Sequence, residues 1–263
     1  MTTVIDIPWA ILALFFCTLL IPIVISRYLQ LSIEKELLVS VGRMFVQLIF
    51  VGLYLEYLFQ INSLIINLAW LLFMLLVGAS SIVSKARLPK TKLLMPAGLG
   101  LLLGLMPMLV LVCAAVIRPT PTYNAQYLIP LAGMLLGNSL SGNIVALQNL
   151  FSSFEQRQAE YEGAIALGAS PKYASLPFIR EAMQKSLAPS LASMSTMGLV
   201  TLPGMMTGQI LGGASPMIAI KYQLMIMVAI FVVLTISTTT TLSLAVRVCI
   251  NANGRILAKP YNK

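Results

Sequence analysis

The sequence has no histidine and very little charge, and both shortages narrow its possible chemistry. Only 10% of its 263 residues are charged, whereas 59% are hydrophobic. A soluble fold could not cover that much apolar surface, because its exterior must be largely polar. The lack of histidine removes the commonest metal ligand and the usual proton carrier near neutral pH. The composition therefore indicates an integral membrane protein.

The sequence also has few cysteines and no nucleotide-binding motif of the P-loop type. Cys17, Cys113 and Cys249 stand apart in or beside apolar runs, with no metal-ligand spacing and no obvious disulfide partner. No G-x4-G-K-[S/T] sequence occurs, so the chain has no ATP-binding P-loop of its own. Its basic residues punctuate apolar runs instead of forming a basic patch, which argues against nucleic acid as a partner. We expect no catalytic site and no bound cofactor on this chain, and the sequence specifies no metal ligands.

Long uncharged runs recur along the whole chain and predict its fold. A hydrocarbon core of ~30 Å needs ~20 residues of helix. Seven runs approach this length, at 8–26, 44–59, 64–84, 93–117, 126–150, 188–212 and 222–246. The second is short, and we expect it to extend back through 37–42, which places Arg43 inside the helix. The prediction is an all-α, polytopic membrane protein with about seven transmembrane helices, in which residues 1–263 form one transmembrane domain.

Lysine and arginine predict the orientation of these helices. With the N-terminus outside, the outer segments hold only Arg118 and Lys221. The inner segments hold the other fifteen basic residues, which are Arg27, Lys35, Arg43, Lys85, Arg87, Lys90, Lys92, Arg157, Lys172, Arg180, Lys185, Arg247, Arg255, Lys259 and Lys263. This bias follows the positive-inside rule. We therefore expect an outer N-terminus and a cytoplasmic C-terminus.

The longest polar stretch, residues 151–186, lies on the predicted inner side between the fifth and sixth spans. Ser170 can cap a helix that begins at Pro171, because the residue before a proline disfavours helix and proline suits a first turn. The stretch should therefore form a helix–turn–helix in the cytoplasm. Its centre reads Glu-x-Ala-x3-Gly, and the residues of this motif and of the turn after it are Glu162, Gly163, Ala164, Gly168, Ala169, Ser170 and Pro171.

This motif resembles the cytoplasmic "EAA" loop of ABC-transporter permeases, in which a short helix docks into a cleft of the ATPase subunit. Small residues suit such docking, because a helix enters a groove closely only if one of its faces lacks bulk. Gly168 supplies backbone freedom beside the break. The alternative is a chance match, since a short pattern occurs often in unrelated loops.

Three further stretches resemble the FetB family of ABC permeases. They are 41–43 with Gln47-Leu48, 129–134 with Gly137-Asn138, and 199–208 followed by 219–223. The resemblance implies a permease domain in the bacterial plasma membrane that works as a homodimer with a cytoplasmic ABC ATPase, the subunit that binds ATP and Mg. The family is linked in bacteria to iron export and oxidative-stress resistance and in plants to aluminium tolerance. Export of iron or another metal is therefore the expected function.

Two groups of residues inside the predicted spans are candidates for a translocation path, because polar groups in hydrocarbon tend to face a pore or a partner. On the fifth span, Asn138 and Asn143 either bond across a helix interface or line the path, and Gly133-x3-Gly137 nearby would permit close helix approach. On the sixth span, proline and glycines should break the helix and form either a cavity that contacts a cation or a gate hinge. The candidates there are Pro203, Gly204, Met205, Met206, Gly208 and Gln209.

The methionines between positions 194 and 227 fit core packing better than binding of soft Cu(I). Other functions stay open beside ATP-driven metal export. A gradient-driven carrier or channel would use an intramembrane carboxylate relay or an inverted repeat, and no acid lies centrally in any predicted span. A membrane enzyme would need catalytic groups that converge at one depth. An ABC permease for a non-metal solute is a further alternative.

Overall fold

Helices carry nearly the whole chain in the computed structural model, which describes residues 6–251 and 254–257. In chain order they are α1 Trp9–Phe16, a 3-10 turn Cys17–Leu19, α2 Leu20–Tyr28, α3 Glu34–Ile61, α4 Leu64–Lys85, α5 Lys90–Leu111 with a π-helical turn Val112–Ile117, α6 Ala125–Gln156, α7 Gln158–Ala166, α8 Pro171–Ala174, α9 Leu176–Thr196, α10 Gly204–Leu211 and α11 Pro216–Cys249.

Six helical segments within the described residues are long and apolar enough to cross a membrane. They are Trp9–Tyr28, α3, α4, Lys90–Ile117, α6 and α11. This confirms the all-α, multi-pass class and six of the predicted runs. α3 begins at Glu34, so the expected backward extension is also confirmed and Arg43 lies inside the helix. Lys259 and Lys263, which contribute to the charge bias, lie outside the described residues.

The predicted sixth span, 188–212, is not one helix. α9 begins earlier, ends at Thr196, and is separated from α10 by seven non-helical residues, 197–203. Gly198 adopts a left-handed φ of 85° in a turn closed by its N–H on the Thr201 carbonyl, and Pro203 precedes the new helix. The predicted helix break is therefore confirmed. The run 188–212 comprises the last turns of α9, this non-helical segment and α10, and it is not among the six membrane-length helical segments.

The tightest helix crossing joins α5 to α11. A Cβ built on Gly104 would lie 2.8 Å from the Val233 carbonyl oxygen, and one on Gly100 would lie 2.8 Å from the Ser237 carbonyl oxygen. Only glycine allows the two backbones to approach so closely. The pair Gly133-x3-Gly137, expected to serve close approach, does not: at Gly137 a Cβ would meet nothing within 4 Å.

α9 runs antiparallel along α6 and α11. Its first turns meet the end of α6 through the ion pair between Arg157 and Glu181. The residue after its last turn, Met197, accepts a hydrogen bond from Gln223 near the start of α11. α9 therefore covers the same depth of the bundle as the middles of α6 and α11.

The first three helices contribute least to the core. Among their described residues only Ser26 and Leu58 are buried. α3 is attached near its end, where Leu58 packs with Ala125 and Ile129 of α6. Most of the apolar surface of α1–α3 therefore faces outward, towards lipid or another chain.

Replacing Gly104 with alanine should destabilise the bundle, because the new Cβ meets a backbone oxygen that cannot move independently of α11. Overpacking of this kind costs about 1–3 kcal/mol, so we expect a lower melting temperature of the purified protein in detergent. Gly52→Ala is the matched control, since its Cβ would meet nothing within 4 Å and alanine favours helix. Equal melting temperatures of Gly104→Ala and wild type would contradict the close crossing.

Candidate functional site

The segment between α6 and α9 is held in place by an aromatic cluster. Tyr161 of α7 is buried and meets Phe154 of α6 edge-on, with ring centroids 5.3 Å apart. The same Phe154 ring lies 4.7 Å from the ring of Phe178 on α9. Burial raises the pKa of the Tyr161 phenol. α7 is thus fixed to the ends of two long helices and cannot shift without moving them.

Arg157, at the junction of α6 and α7, ties the same helices together electrostatically. Its Nη2 lies 2.6 Å from Glu181 of α9, its Nη1 lies 3.6 Å from Glu160 of α7, and its guanidinium stands 4.7 Å from the centroid of the Phe178 ring. Partly exposed ion pairs stabilise little individually. Here two pairs and a cation–π contact share one side chain, so they fix the relative position of three helices.

The turn after α7 has the geometry that its sequence predicts. Gly168 adopts a left-handed φ of 93°, its N–H bonds to the Ile165 carbonyl, and the Ala169 N–H bonds to the Ala164 carbonyl. These two bonds form a Schellman motif, which ends the helix at glycine. Ser170 then caps α8 by accepting a hydrogen bond from the Tyr173 N–H at 3.3 Å, with Pro171 in the first turn. The helix–turn–helix is confirmed, and its cytoplasmic location stays a prediction.

The predicted coupling residues divide between a base and a tip. Ala164 and Ala169 pack against the core, whereas Glu162 and Gly163 are exposed. At the tip, Leu167 is 91% exposed and Tyr173 is also exposed. The motif did not single out these two residues, although an apolar residue beside a turn glycine in a polar segment was a visible signal. We call Glu162, Leu167 and Tyr173 the loop tip.

The C-terminal segment braces α7 from the other side. A Cβ on Gly254, whose φ is 78°, would lie 3.3 Å from the Ile165 side chain. The Leu257 N–H bonds to the Cys249 carbonyl at 2.7 Å, and Lys92 of α5 donates to the Leu257 carbonyl at 3.3 Å. α7 is therefore linked to α5 and α11 as well as to α6 and α9.

A groove of about 200 Å³ opens between the middles of α6, α9 and α11. Its polar lining is Asn138 and Ser141 of α6 and Ser186, Ser190 and Ser193 of α9, and its apolar lining includes Met227, Ile230 and Leu234 of α11. Asn138 donates through Nδ2 to the Met134 carbonyl at 2.8 Å, which leaves its Oδ1 available as an acceptor. We call this feature the serine groove.

Three serines of the groove follow one face of α9. Their spacing, i, i+4 and i+7, is that of a helix face. This spacing is visible in the sequence, but the three serines are not among the candidates named from the sequence. Pro189 stands among them, and its missing N–H leaves the Lys185 carbonyl without its usual helical donor. Ser186 is only 3% exposed, and its Oγ has no hydrogen-bond partner.

The predicted path residues do not meet at one place. Asn138 lines the serine groove, but Asn143 is fully buried and donates to the Ser139 carbonyl at 2.8 Å and to Ser237 Oγ of α11 at 2.7 Å. Asn143 therefore bonds across a helix interface, the alternative given for it. The candidates from Pro203 to Gln209 lie on and before α10, which packs along α11, and none of them lines the groove. Of these, Gly204 and Gly208 are exposed, and Met205 and Met206 are partly buried.

The residues described here offer little to a bare metal ion. Among residues 6–251 and 254–257, no three His, Cys, Asp or Glu side chains stand close enough to hold one. Met205, Met225 and Met227 pack against the hydrophobic core. These contacts agree with a packing role for the methionines, and the groove offers hydroxyl and amide groups instead.

Residues 9–250 match the family described as "Uncharacterised protein family (UPF0014)". The chain is 40% identical over 210 residues to the protein ALUMINUM SENSITIVE 3 of Arabidopsis thaliana, covering 79% of this chain and 74% of that protein. It is 35% identical over 221 residues to the Escherichia coli protein named "Probable iron export permease protein FetB", covering 82% of each. A UPF0014 membrane protein of Synechocystis is 36% identical over 225 residues, or 84% of this chain and 86% of that one.

No solved structure gives a significant match to the chain. The family match and these relatives each extend over most of its length, and its six membrane-length helices agree with the description of several relatives as membrane proteins. The chain therefore belongs to the UPF0014 family and is a multi-pass membrane protein.

Proposed function

We propose that the chain is the membrane-spanning permease subunit of an ABC transporter that exports iron or another metal, with ATP and Mg bound by a separate cytoplasmic ATPase subunit. The similarity to the Escherichia coli iron export permease supports the metal and the direction. The loop tip supports the coupling to ATP. The chain itself catalyses no covalent step in this proposal.

The observation that carries the proposal is the contrast between the tip and the base of the segment after α6. The base is fixed by Tyr161, Arg157 and Phe178, whereas the tip exposes Leu167 and Tyr173. An exposed tyrosine beside an exposed leucine on a rigid base suits a protein partner, because aromatic side chains often anchor protein interfaces. Motion of an ATPase docked there would pass to α6 and α9, because the same contacts join both helices.

We propose that the serine groove forms one half of a translocation path. It opens between α6 and α9, the two helices fixed to the base of the loop tip. In a homodimer two such grooves would face each other, which would cover the polar side chains that lipid cannot solvate. Rotation of α9 against α6 would then change the side to which the path opens.

We further propose that α9 is a seventh crossing, with the N-terminus outside and the C-terminus in the cytoplasm. α9 has 21 residues, which gives a length of about 30 Å, and it lies antiparallel to α6 and α11. Ser186, Ser190 and Ser193 lower its hydropathy but line the groove. Glu181 does so as well but pairs with Arg157 at the loop base. A gradient-driven carrier remains the contrasting hypothesis, and full transport without any ATPase subunit would favour it.

Replacing Glu162 or Gly168 with arginine should abolish stimulation of the partner ATPase, because each change places charge and bulk at the docking surface. Wild type, each variant and Glu36→Arg are copurified with the ATPase in nanodiscs and their ATP hydrolysis is measured. Glu36 is also an exposed acid on the predicted cytoplasmic side but lies outside the loop, so Glu36→Arg should hydrolyse ATP like wild type. Normal hydrolysis by both Glu162→Arg and Gly168→Arg would count against coupling through this loop.

Single cysteines should report the proposed seven-span topology. In a chain whose three cysteines are replaced by alanine, Leu199→Cys should react with a membrane-impermeant thiol reagent from outside intact cells. Leu167→Cys should react only after the cells are opened. The two positions are matched, since both leucines are 91% exposed. Labelling of both cysteines from the same side would show that α9 does not cross the membrane.

A further inference from the structure

The serine groove presents hydrogen-bond acceptors between the middles of three helices, and some of these acceptors have no donor within the protein. The Ser186 hydroxyl is nearly fully buried, lines the groove and has no partner. An unsatisfied buried hydroxyl is costly in the folded protein. Such a group is retained when a ligand bonds to it, so Ser186 points to an occupant of the groove.

The neighbours of Ser186 offer the same chemistry. The Nδ2 of Asn138 is engaged with Met134, so its Oδ1 is free to accept. Serine oxygens accept hydrogen bonds, and Ser190 and Ser193 line the groove together with Ser186. The groove thus combines neutral oxygen acceptors on one wall with an apolar wall from α11. It fits a cargo whose outer surface consists of hydrogen-bond donors.

The side chains that line the groove distinguish between binding of a dehydrated cation and binding of a hydrated one. A dehydrated transition-metal ion is held by imidazole, thiolate, thioether or carboxylate ligands, and of these only the Met227 thioether lines the groove. A hydrated cation needs none of them, because its bound waters donate outward to neutral oxygens. The groove volume of about 200 Å³ accommodates about six waters at their liquid volume of roughly 30 Å³ each, which is the first shell of a divalent ion.

We propose that the serine groove binds a divalent metal cation with its water shell intact, through hydrogen bonds from the bound waters to Ser186, Ser190 and Asn138. This inference rests on the proposed export of a metal and specifies the form in which the metal enters. Binding through the water shell is weak, since no ligand is exchanged. Weak binding suits a path that must also release its cargo.

The test uses hexaamminecobalt(III), a cation of similar shape whose six ammonia ligands do not exchange during the assay and can only donate hydrogen bonds. Binding of this ion and of Fe²⁺ under anaerobic conditions is measured by equilibrium dialysis against the purified chain in nanodiscs, with empty nanodiscs as background. We expect both ions to bind and to compete. Fe²⁺ binding without competition by hexaamminecobalt(III) would overturn the proposal, and so would the absence of binding by either ion.

Variants locate the binding. Ser186→Ala combined with Ser190→Ala should weaken the binding of both ions roughly tenfold, since two hydrogen bonds are lost. Ser195→Ala is the matched control on the same helix, because Ser195 is exposed, bonds to the Ala192 carbonyl and does not line the groove. Unchanged binding in the double variant would overturn the proposal, as would an equal loss in Ser195→Ala.

The assay contains no ATPase, so its outcome is independent of coupling. Competitive binding in the groove, together with a loop tip that fails to stimulate ATP hydrolysis, would sustain this inference and remove the proposed ABC function. Normal stimulation of ATP hydrolysis by Fe²⁺, together with unchanged binding in the double variant, would do the reverse.

Discussion

Within a bilayer a polar group has no water to bond, and this constraint organises the bundle. Three of the seven serine and threonine hydroxyls of α11 meet it locally: Thr235, Thr238 and Thr239 each donate to the carbonyl one turn earlier. Asn143 meets it across the interface between α6 and α11 by donating to Ser237. The close crossing of α5 over α11 depends on the same helix face, where two glycines remove the side chains that would hold the backbones apart. These polar residues therefore bond within the bundle, either to their own helix or across the interface of α6 and α11.

The same constraint makes the serine groove distinctive. At the level of Ser186 to Ser193, α9 does not pack closely against α6 and α11. The space left between the three helices has hydrogen-bond acceptors on its wall. A polar space of this kind is costly to maintain in an isolated chain, and the proposed second copy and cargo would each supply partners for it.

The segment after α6 is joined to the two helices that border this space. Arg157 belongs to three helices at once, and the Tyr161, Phe154 and Phe178 rings fill the gap among them. The three residues of the loop tip beyond this base are exposed. A force on the tip would therefore reach α6 and α9 before any other helix, and the groove lies between those two.

The sequence by itself determined the class, the positions of six membrane-length helices and the turn at Gly168-Ala169-Ser170-Pro171, because apolar length, glycine handedness and proline geometry act locally. It also located the helix break before Gly204. Only the tertiary structure decided which polar residues share a site. Asn138 and Asn143 stand five residues apart on one helix, so they face different neighbours. Gly100 and Gly104 pack against α11, and the α9 serines share a groove with Asn138, only because these helices become neighbours. Which helices become neighbours is a long-range property, so it cannot be predicted from a local sequence pattern.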